Sequence, residues 1–169
     1  MLLAFLPALL VGAAVFDLTT YTIPNIVPGS MLLLFIVLLL TLALNGHPLS
    51  LSSTGLHVLA GLLGLVAGIT MFAFNWVGGG DAKLFAVVAL WLGWDMLYDY
   101  AMLSALLGGC ITIFLVAIRR VSLPPILEAQ PWIKALADRK QGVPYGVALA
   151  MAALTVLPDC DLFRLAATS

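Results

Sequence analysis

Charged residues are scarce in this chain of 169 residues. They make up only 9% of it, against 63% that are hydrophobic, and the mean hydropathy is +1.17. A water-soluble domain carries about 25% charged residues and needs them to cover its surface. The shortage therefore excludes an ordinary soluble fold and indicates a protein whose solvent is mostly lipid. A net charge of −1 provides no basic surface for nucleic acid, and we expect no such partner.

Residues typical of metal and redox sites are also few. The two cysteines, Cys110 and Cys160, form no CxxC pair, and His47 and His57 fall near the predicted outer ends of helices. This pattern indicates neither a zinc site nor a disulfide framework. We expect the protein to use no metal and no cofactor. Lys and Arg are lacking ahead of the first apolar run, which favours a membrane helix over a cleaved signal peptide.

Long apolar runs are what the chain has in abundance. A helix that crosses a membrane needs about 20 apolar residues, and six segments come close to that length. They are Leu2–Tyr21, Val27–Leu44, Gly55–Trp76, Ala82–Trp94, Leu97–Ile118 and Val143–Leu157. We predict an all-α polytopic membrane protein, a bundle of about six transmembrane helices that forms a single membrane-embedded domain over residues 1–169.

The basic residues predict how this bundle is oriented. Cytosolic loops retain Lys and Arg, and an N-out, C-out arrangement leaves only Arg164 outside. The six basic residues then placed in the cytosol are Lys83, Arg119, Arg120, Lys134, Arg139 and Lys140. The polar stretch at 119–142 becomes a cytosolic loop, and its second half, PWIKALADRK, is predicted to form a short amphipathic helix on the membrane surface.

Acidic residues are informative because a carboxylate at membrane depth is costly and usually marks function. Six of the eight have ordinary explanations in outer turns or in the polar loop: Asp95, Asp99, Glu128, Asp138, Asp159 and Asp161. The others, Asp17 and Asp81, are predicted at the cytosolic ends of the first and fourth helices. We expect the first helix to run to Thr22, about one and a half turns past Asp17. The alternatives are an interfacial residue at Asp17 and a simple helix cap at Asp81.

Three glycines precede Asp81: Gly78, Gly79 and Gly80. Glycine adopts conformations that other residues avoid and lets another chain approach closely. We predict that these glycines break the third helix, that Gly80 has a positive φ, and that a substrate backbone approaches there. A helix cap alone would not require three glycines.

Two carboxyl groups that converge around a water molecule can catalyse peptide hydrolysis. The ionised group takes a proton from water, and the protonated group donates to the scissile carbonyl oxygen. Lys83 and the positive end of the fourth helix favour Asp81 as the ionised partner. The same pair would suit a small cation- or proton-coupled transport subunit, and this alternative stays open.

Three motifs resemble those of a known family. The sequence GGGDAK at 78–83 resembles the GxGD signature of intramembrane aspartyl proteases. The stretch DLTTYTIPN, Asp17 to Asn25, is similar to the first-aspartate motif of type IV prepilin peptidases, and VPYG at 143–146 resembles the start of their last helix. The IPN sequence argues against the related proteases that cut inside transmembrane helices.

The resemblance implies roles for particular residues. Asp17 and Asp81 would be catalytic. The residues expected to shape the site or bind substrate are Pro24, Asn25, Gly78, Gly79, Gly80, Lys83 and Pro144.

The resemblance also implies a multi-pass protein of the prokaryotic cytoplasmic membrane. Its substrates would be prepilin or pseudopilin precursors, whose leader peptide it removes at the cytosolic face. The compact form is similar to the peptidases of Flp/Tad pilus systems. Large bacterial members carry a cytosolic insertion with paired CxxC motifs and an N-methyltransferase activity, and nothing in this sequence corresponds to it. We therefore expect a peptidase without methyl transfer.

Overall fold

A computed structural model describes residues 4–120, 130–138 and 141–168, and all regular structure in these ranges is helical. The helices are α1 Phe5–Thr20, α2 Ile26–Leu44, α3 Leu51–Ala73, α4 Gly79–Ile118, α5 Pro131–Ala137, α6 Tyr145–Val156 and α7 Asp161–Thr168, with a 3-10 turn at Leu157–Asp159. The predicted amphipathic segment contains α5, whereas residues 121–129 and 139–140 of the same loop lie outside the described residues.

Three of these helices, α2, α3 and α4, are long and apolar enough to cross a membrane, and α1 and α6 are shorter apolar helices. Many large apolar side chains on them face outward, among them Leu33, Leu62 and Val66. A protein in water rarely exposes continuous apolar surface of this kind. The protein is therefore an all-helical membrane protein whose outward faces meet lipid.

The longest element, α4, consists of two helical arms joined at Gly93, whose φ of 74° and ψ of −173° are not helical. In a straight helix Phe85 and Tyr100 would lie about 22 Å apart, yet their rings stack with centroids 5.1 Å apart. The two arms of α4, 79–92 and 94–118, therefore run antiparallel and correspond to the fourth and fifth predicted segments. The prediction that Asp95 and Asp99 occupy a turn between helices is wrong, because Gly93 makes the reversal and both aspartates lie exposed on the second arm.

Side chains from distant parts of the chain hold this reversal. The helix break frees carbonyl groups that would otherwise accept hydrogen bonds one turn later. His57 Nδ1 lies 2.9 Å from the Leu90 carbonyl oxygen, and the Cys160 thiol donates to the carbonyl oxygen of Trp91 at 3.5 Å. A Cβ on Gly93 would come within 2.8 Å of the His57 ring. His57 and Cys160 thus stabilise the turn of α4.

The short apolar helix α6 packs against both α1 and α4. Its buried face is made of small residues, including Gly146, Ala150 and Ala153. Small side chains let helix backbones approach closely in a membrane bundle. The N-terminal end of α6 is thereby placed between the end of α1 and the start of α4.

Candidate active site

Asp17 lies in the last turn of α1 and is 3% exposed. The helix ends at Thr20, not at the predicted Thr22, because Tyr21 adopts a left-handed conformation (φ 55°) and its N–H donates to the Asp17 carbonyl oxygen at 3.0 Å. The Asp17 carboxyl oxygen Oδ2 accepts a hydrogen bond from the backbone N–H of Val147 at 3.3 Å. The N-terminal end of α6 therefore faces this carboxyl group, an arrangement that favours negative charge.

Asp81 lies in the first turn of α4 and is 7% exposed. Its Oδ2 accepts a hydrogen bond from the Gly78 N–H at 3.0 Å, so the aspartate does cap the helix. The other oxygen, Oδ1, is buried and has no partner among the described residues. Capping therefore accounts for one of the two carboxyl oxygens of Asp81 and leaves the other available.

The two carboxyl groups meet at Gly146. Gly146 packs directly against the Asp17 carboxyl, its backbone N–H lies near both carboxyl groups, and the two carboxyls are close enough for the charge of Asp81 to act on Asp17. A Cβ on Gly146 would lie 2.8 Å from Asp17 Oδ2 and 2.6 Å from Ile23 Cδ1. Only glycine fits there without displacing Asp17. Gly146 is the last residue of the VPYG motif, so the sequence motif already indicated its position in the site.

The three glycines before Asp81 begin a helix instead of breaking one. α3 already ends at Ala73, and the chain turns at Asn75, which has φ 56°. None of the three has a positive φ, so the predicted conformation of Gly80 is wrong. A Cβ on Gly80 would lie 3.0 Å from Ile23 Cβ and 3.1 Å from its carbonyl oxygen. Ile23 occupies the direction that a Gly80 side chain would take, so Gly80 lets α4 begin in close contact with the segment that follows α1. The approach of a substrate backbone at these glycines stays a prediction.

The other predicted site residues connect these elements. Lys83 Nζ donates to Asn25 Oδ1 at 2.7 Å, which joins the start of α4 to the loop after α1. The carbonyl oxygen of Pro24 accepts a hydrogen bond from the Val27 N–H in the first turn of α2. Pro144 is buried at the N-cap of α6. The predicted electrostatic effect of Lys83 on Asp81 stays a prediction.

Sequence analysis did not single out two polar side chains near Asp81. Tyr100 and Ser104 lie one turn apart on the second arm of α4, their hydroxyl groups are buried close enough to interact with each other, and neither hydroxyl is bonded to any other described residue. Ser104 and Asp81 line one cavity of about 300 Å³. Two hydroxyl side chains four positions apart in an apolar run share a helix face. The spacing of Tyr100 and Ser104 in the sequence could therefore have predicted this pair.

The fold and the site define a class: a helical membrane protein with two buried carboxyl groups brought together at one end of its bundle. A model of the type IV leader peptidase family matches residues 4–113, and the chain belongs to this family. The match includes both aspartates and ends before α6.

Two curated relatives are named as prepilin leader peptidase/N-methyltransferases. The protein from Dickeya chrysanthemi is 32% identical over 147 residues, which cover 78% of this chain and 48% of the relative. The protein from Pectobacterium carotovorum subsp. carotovorum is 27% identical over 142 residues, which cover 78% and 51%. The chain thus spans about half the length of these relatives. No solved structure matches it.

Proposed function

We propose that the protein is a membrane aspartyl endopeptidase that removes the leader peptide of prepilin-like precursors at the cytosolic face of the membrane. The observation that carries this proposal is the pair of buried carboxyl groups of Asp17 and Asp81, which lie close together beside Gly146. Membership of the type IV leader peptidase family supports a peptidase that acts on prepilins. No contact of the described residues favours the transport alternative over this one.

In the proposed reaction, a water molecule lies between the two carboxyl groups. One group, ionised, takes a proton from the water while the water oxygen attacks the scissile carbonyl carbon. The other group, protonated, donates its proton to the carbonyl oxygen, which gives a tetrahedral diol. The diol collapses as the C–N bond breaks: the group that took the water proton gives it to the leaving nitrogen, and the other, now ionised, takes a proton from a diol hydroxyl. This forms the new carboxylic acid and returns both groups to their starting protonation states. The amides of Gly78 and Val147 hold the carboxyl oxygens in place.

The position of the site suits a substrate with a polar leader followed by an apolar helix. Asp17 is at the end of α1 and Asp81 is at the start of α4, so both lie where apolar helices end. A substrate whose helix lies in the bilayer would present the junction with its leader at this level. We further propose that methyl transfer is absent, because Cys110 and Cys160 form no CxxC motif in this sequence.

We also propose six membrane crossings in a prokaryotic cytoplasmic membrane, made by α1, α2, α3, the two arms of α4 and α6, with both termini outside. A single cysteine introduced at Thr20 or Gln141 in a cysteine-free protein should react with a membrane-impermeant reagent only from the cytosolic side. One at Ser52 should react only from outside. Reversed labelling would place both aspartates in the wrong compartment and refute the proposed cleavage.

The direct test is incubation of the purified protein, in detergent, with a pilin precursor, followed by mass spectrometry of the product. We expect a shortened pilin whose mass shows no added methyl group even when S-adenosylmethionine is present. A methylated product would refute the expected absence of methyl transfer. A precursor left intact by the wild-type protein, together with aspartate-dependent cation flux in vesicles, would support the transport alternative.

A further inference from the structure

A cavity of about 300 Å³ lies beside Asp81, between α3, the two arms of α4 and the start of α6. Five of its twelve lining residues are alanine or glycine, among them Ala67, Gly68, Ala101 and Ala105. Small residues on three neighbouring helices leave space that larger residues would fill. The cavity could therefore accept an apolar side chain next to the proposed catalytic carboxyl.

One end of this cavity is polar. Asp81 and Ser104 both line it, and Tyr100 lies next to Ser104. Asp81 Oδ1, Ser104 Oγ and the Tyr100 hydroxyl are buried, and apart from the interaction of the two hydroxyls with each other, none of them has a hydrogen-bond partner among the described residues. Buried polar groups are costly to leave unpaired. Asp81 and Ser104 on the wall of one cavity, with the Tyr100 hydroxyl beside Ser104, indicate a ligand that brings both donors and acceptors.

The backbone of an extended peptide has both. Each residue offers one N–H and one C=O, and in the extended form required at a scissile bond neither is used within the segment. A lipid acyl chain would fill the apolar part of the cavity but has no group to pair with Ser104 or Asp81. The polar end therefore favours a peptide as the occupant.

We propose that this cavity is a substrate subsite that receives the apolar side chain of a residue flanking the scissile bond, while the Ser104 hydroxyl binds the backbone of that residue. The inference rests on the proposed function and adds to it the source of side-chain selectivity. Tyr100 has a positioning role beside Ser104. In this arrangement the size of the cavity selects the substrate side chain, and the hydroxyl fixes the extended backbone next to Asp81.

The test measures kcat/KM for a series of pilin precursors that carry Ala, Leu or Phe at each of the two positions flanking the scissile bond. Ala101→Leu fills part of the cavity. For the substrate position whose side chain enters the cavity, Ala101→Leu should lower kcat/KM for the precursor with Phe by about tenfold or more, as expected for a filled apolar pocket. For the precursor with Ala at the same position, kcat/KM should change by less than about twofold. The matched control is Ala117→Leu, the same substitution on an exposed part of the same arm.

A second variant covers the possibility that Ala101→Leu does not fold. Ser104→Ala keeps the cavity and removes only the hydroxyl, so kcat/KM should fall by roughly tenfold for all precursors with no loss of melting temperature in detergent, the size expected for one lost hydrogen bond.

Equal losses across the precursor series with Ala101→Leu, or unchanged kcat/KM with Ser104→Ala, would overturn the subsite while leaving the peptidase assignment intact. A wild-type protein that cleaves no precursor would instead refute the proposed function.

Discussion

At the Gly93 end of the bundle, the buried polar side chains that surround the turn have backbone partners: His57 meets the Leu90 carbonyl, and Cys160 meets that of Trp91. At the Asp81 end, Asp81 Oδ1 and the nearby hydroxyls of Ser104 and Tyr100 have no backbone partner among the described residues. Each end also contains a glycine at which a Cβ would clash with its neighbours: Gly93 at one end and Gly146 at the other.

This difference in hydrogen bonding indicates that the Gly93 end stabilises the fold and that the Asp81 end serves the function. A paired polar group in a tight turn lowers the free energy of the folded protein, whereas an unpaired one raises it and persists where a ligand completes it. We therefore expect substitutions near Gly93 to change the melting temperature and substitutions near Asp81 to change turnover. The predictions that follow test this division.

The largest effect is expected from Asp17→Asn and Asp81→Asn. Each removes an ionisable group at nearly constant volume, so cleavage of a pilin precursor should fall by about a hundredfold or more, the range lost with an acid or base group. The melting temperature in detergent should not fall, because neither carboxyl is part of an ion pair among the described residues. The controls are Asp95→Asn and Asp99→Asn, which are exposed on α4 and should leave turnover within about twofold. Near wild-type cleavage by either Asp17→Asn or Asp81→Asn would refute the paired-aspartate mechanism.

Gly146→Ala should have the next largest effect. Its Cβ would lie 2.8 Å from Asp17 Oδ2 and displace the carboxyl from the Val147 amide. Misplacing a catalytic group by about 1 Å can cost up to about a hundredfold in rate, and overpacking costs about 1–3 kcal/mol of stability. The control is Gly142→Ala, since a Cβ at Gly142 meets nothing within 4 Å. Equal turnover by the two variants would show that Gly146 does not position Asp17.

Gly80→Ala should lower turnover less, by a few-fold to about tenfold, because the start of α4 must shift away from Ile23 and carry Asp81 with it. The Cβ would lie 3.0 Å from Ile23 Cβ and 3.2 Å from its backbone nitrogen. Gly79→Ala is the matched control, since its Cβ would make an ordinary contact of 3.5 Å with Phe72. If Gly79→Ala impaired turnover as much as Gly80→Ala, close packing on Ile23 would not be the reason for glycine at position 80.

Gly93→Ala should leave turnover of the folded protein within about twofold and lower its stability by about 1–3 kcal/mol. The substitution forces a side chain into a positive φ and against the His57 ring at 2.8 Å. Gly46→Ala separates the two causes, because Gly46 also has a positive φ, of 80°, but has open space around its Cβ. A melting temperature that falls equally in both variants would assign the loss to the backbone alone. A large loss of turnover in Gly93→Ala would contradict the division between the two ends.

The composition and motifs of the sequence determined a good part of this protein. Apolar runs predicted an all-helical membrane protein, and the surroundings of Asp17 and Asp81 predicted the family, because both kinds of signal are local. Helix ends were less predictable. α1 stops at Thr20 because Tyr21 adopts a left-handed conformation, which non-glycine residues rarely do and which no local pattern indicates.

The tertiary structure alone decided which distant residues meet. It places Gly146 against Asp17, Ile23 against Gly80, and His57 against the reversal at Gly93. It also places the reversal between the fourth and fifth predicted helices at Gly93 and puts Ser104 beside Asp81 in a shared cavity. These contacts join segments far apart in the chain, and they depend on which helix faces pack together. Hydrophobic periodicity does not specify those faces when lipid and protein interior are equally apolar.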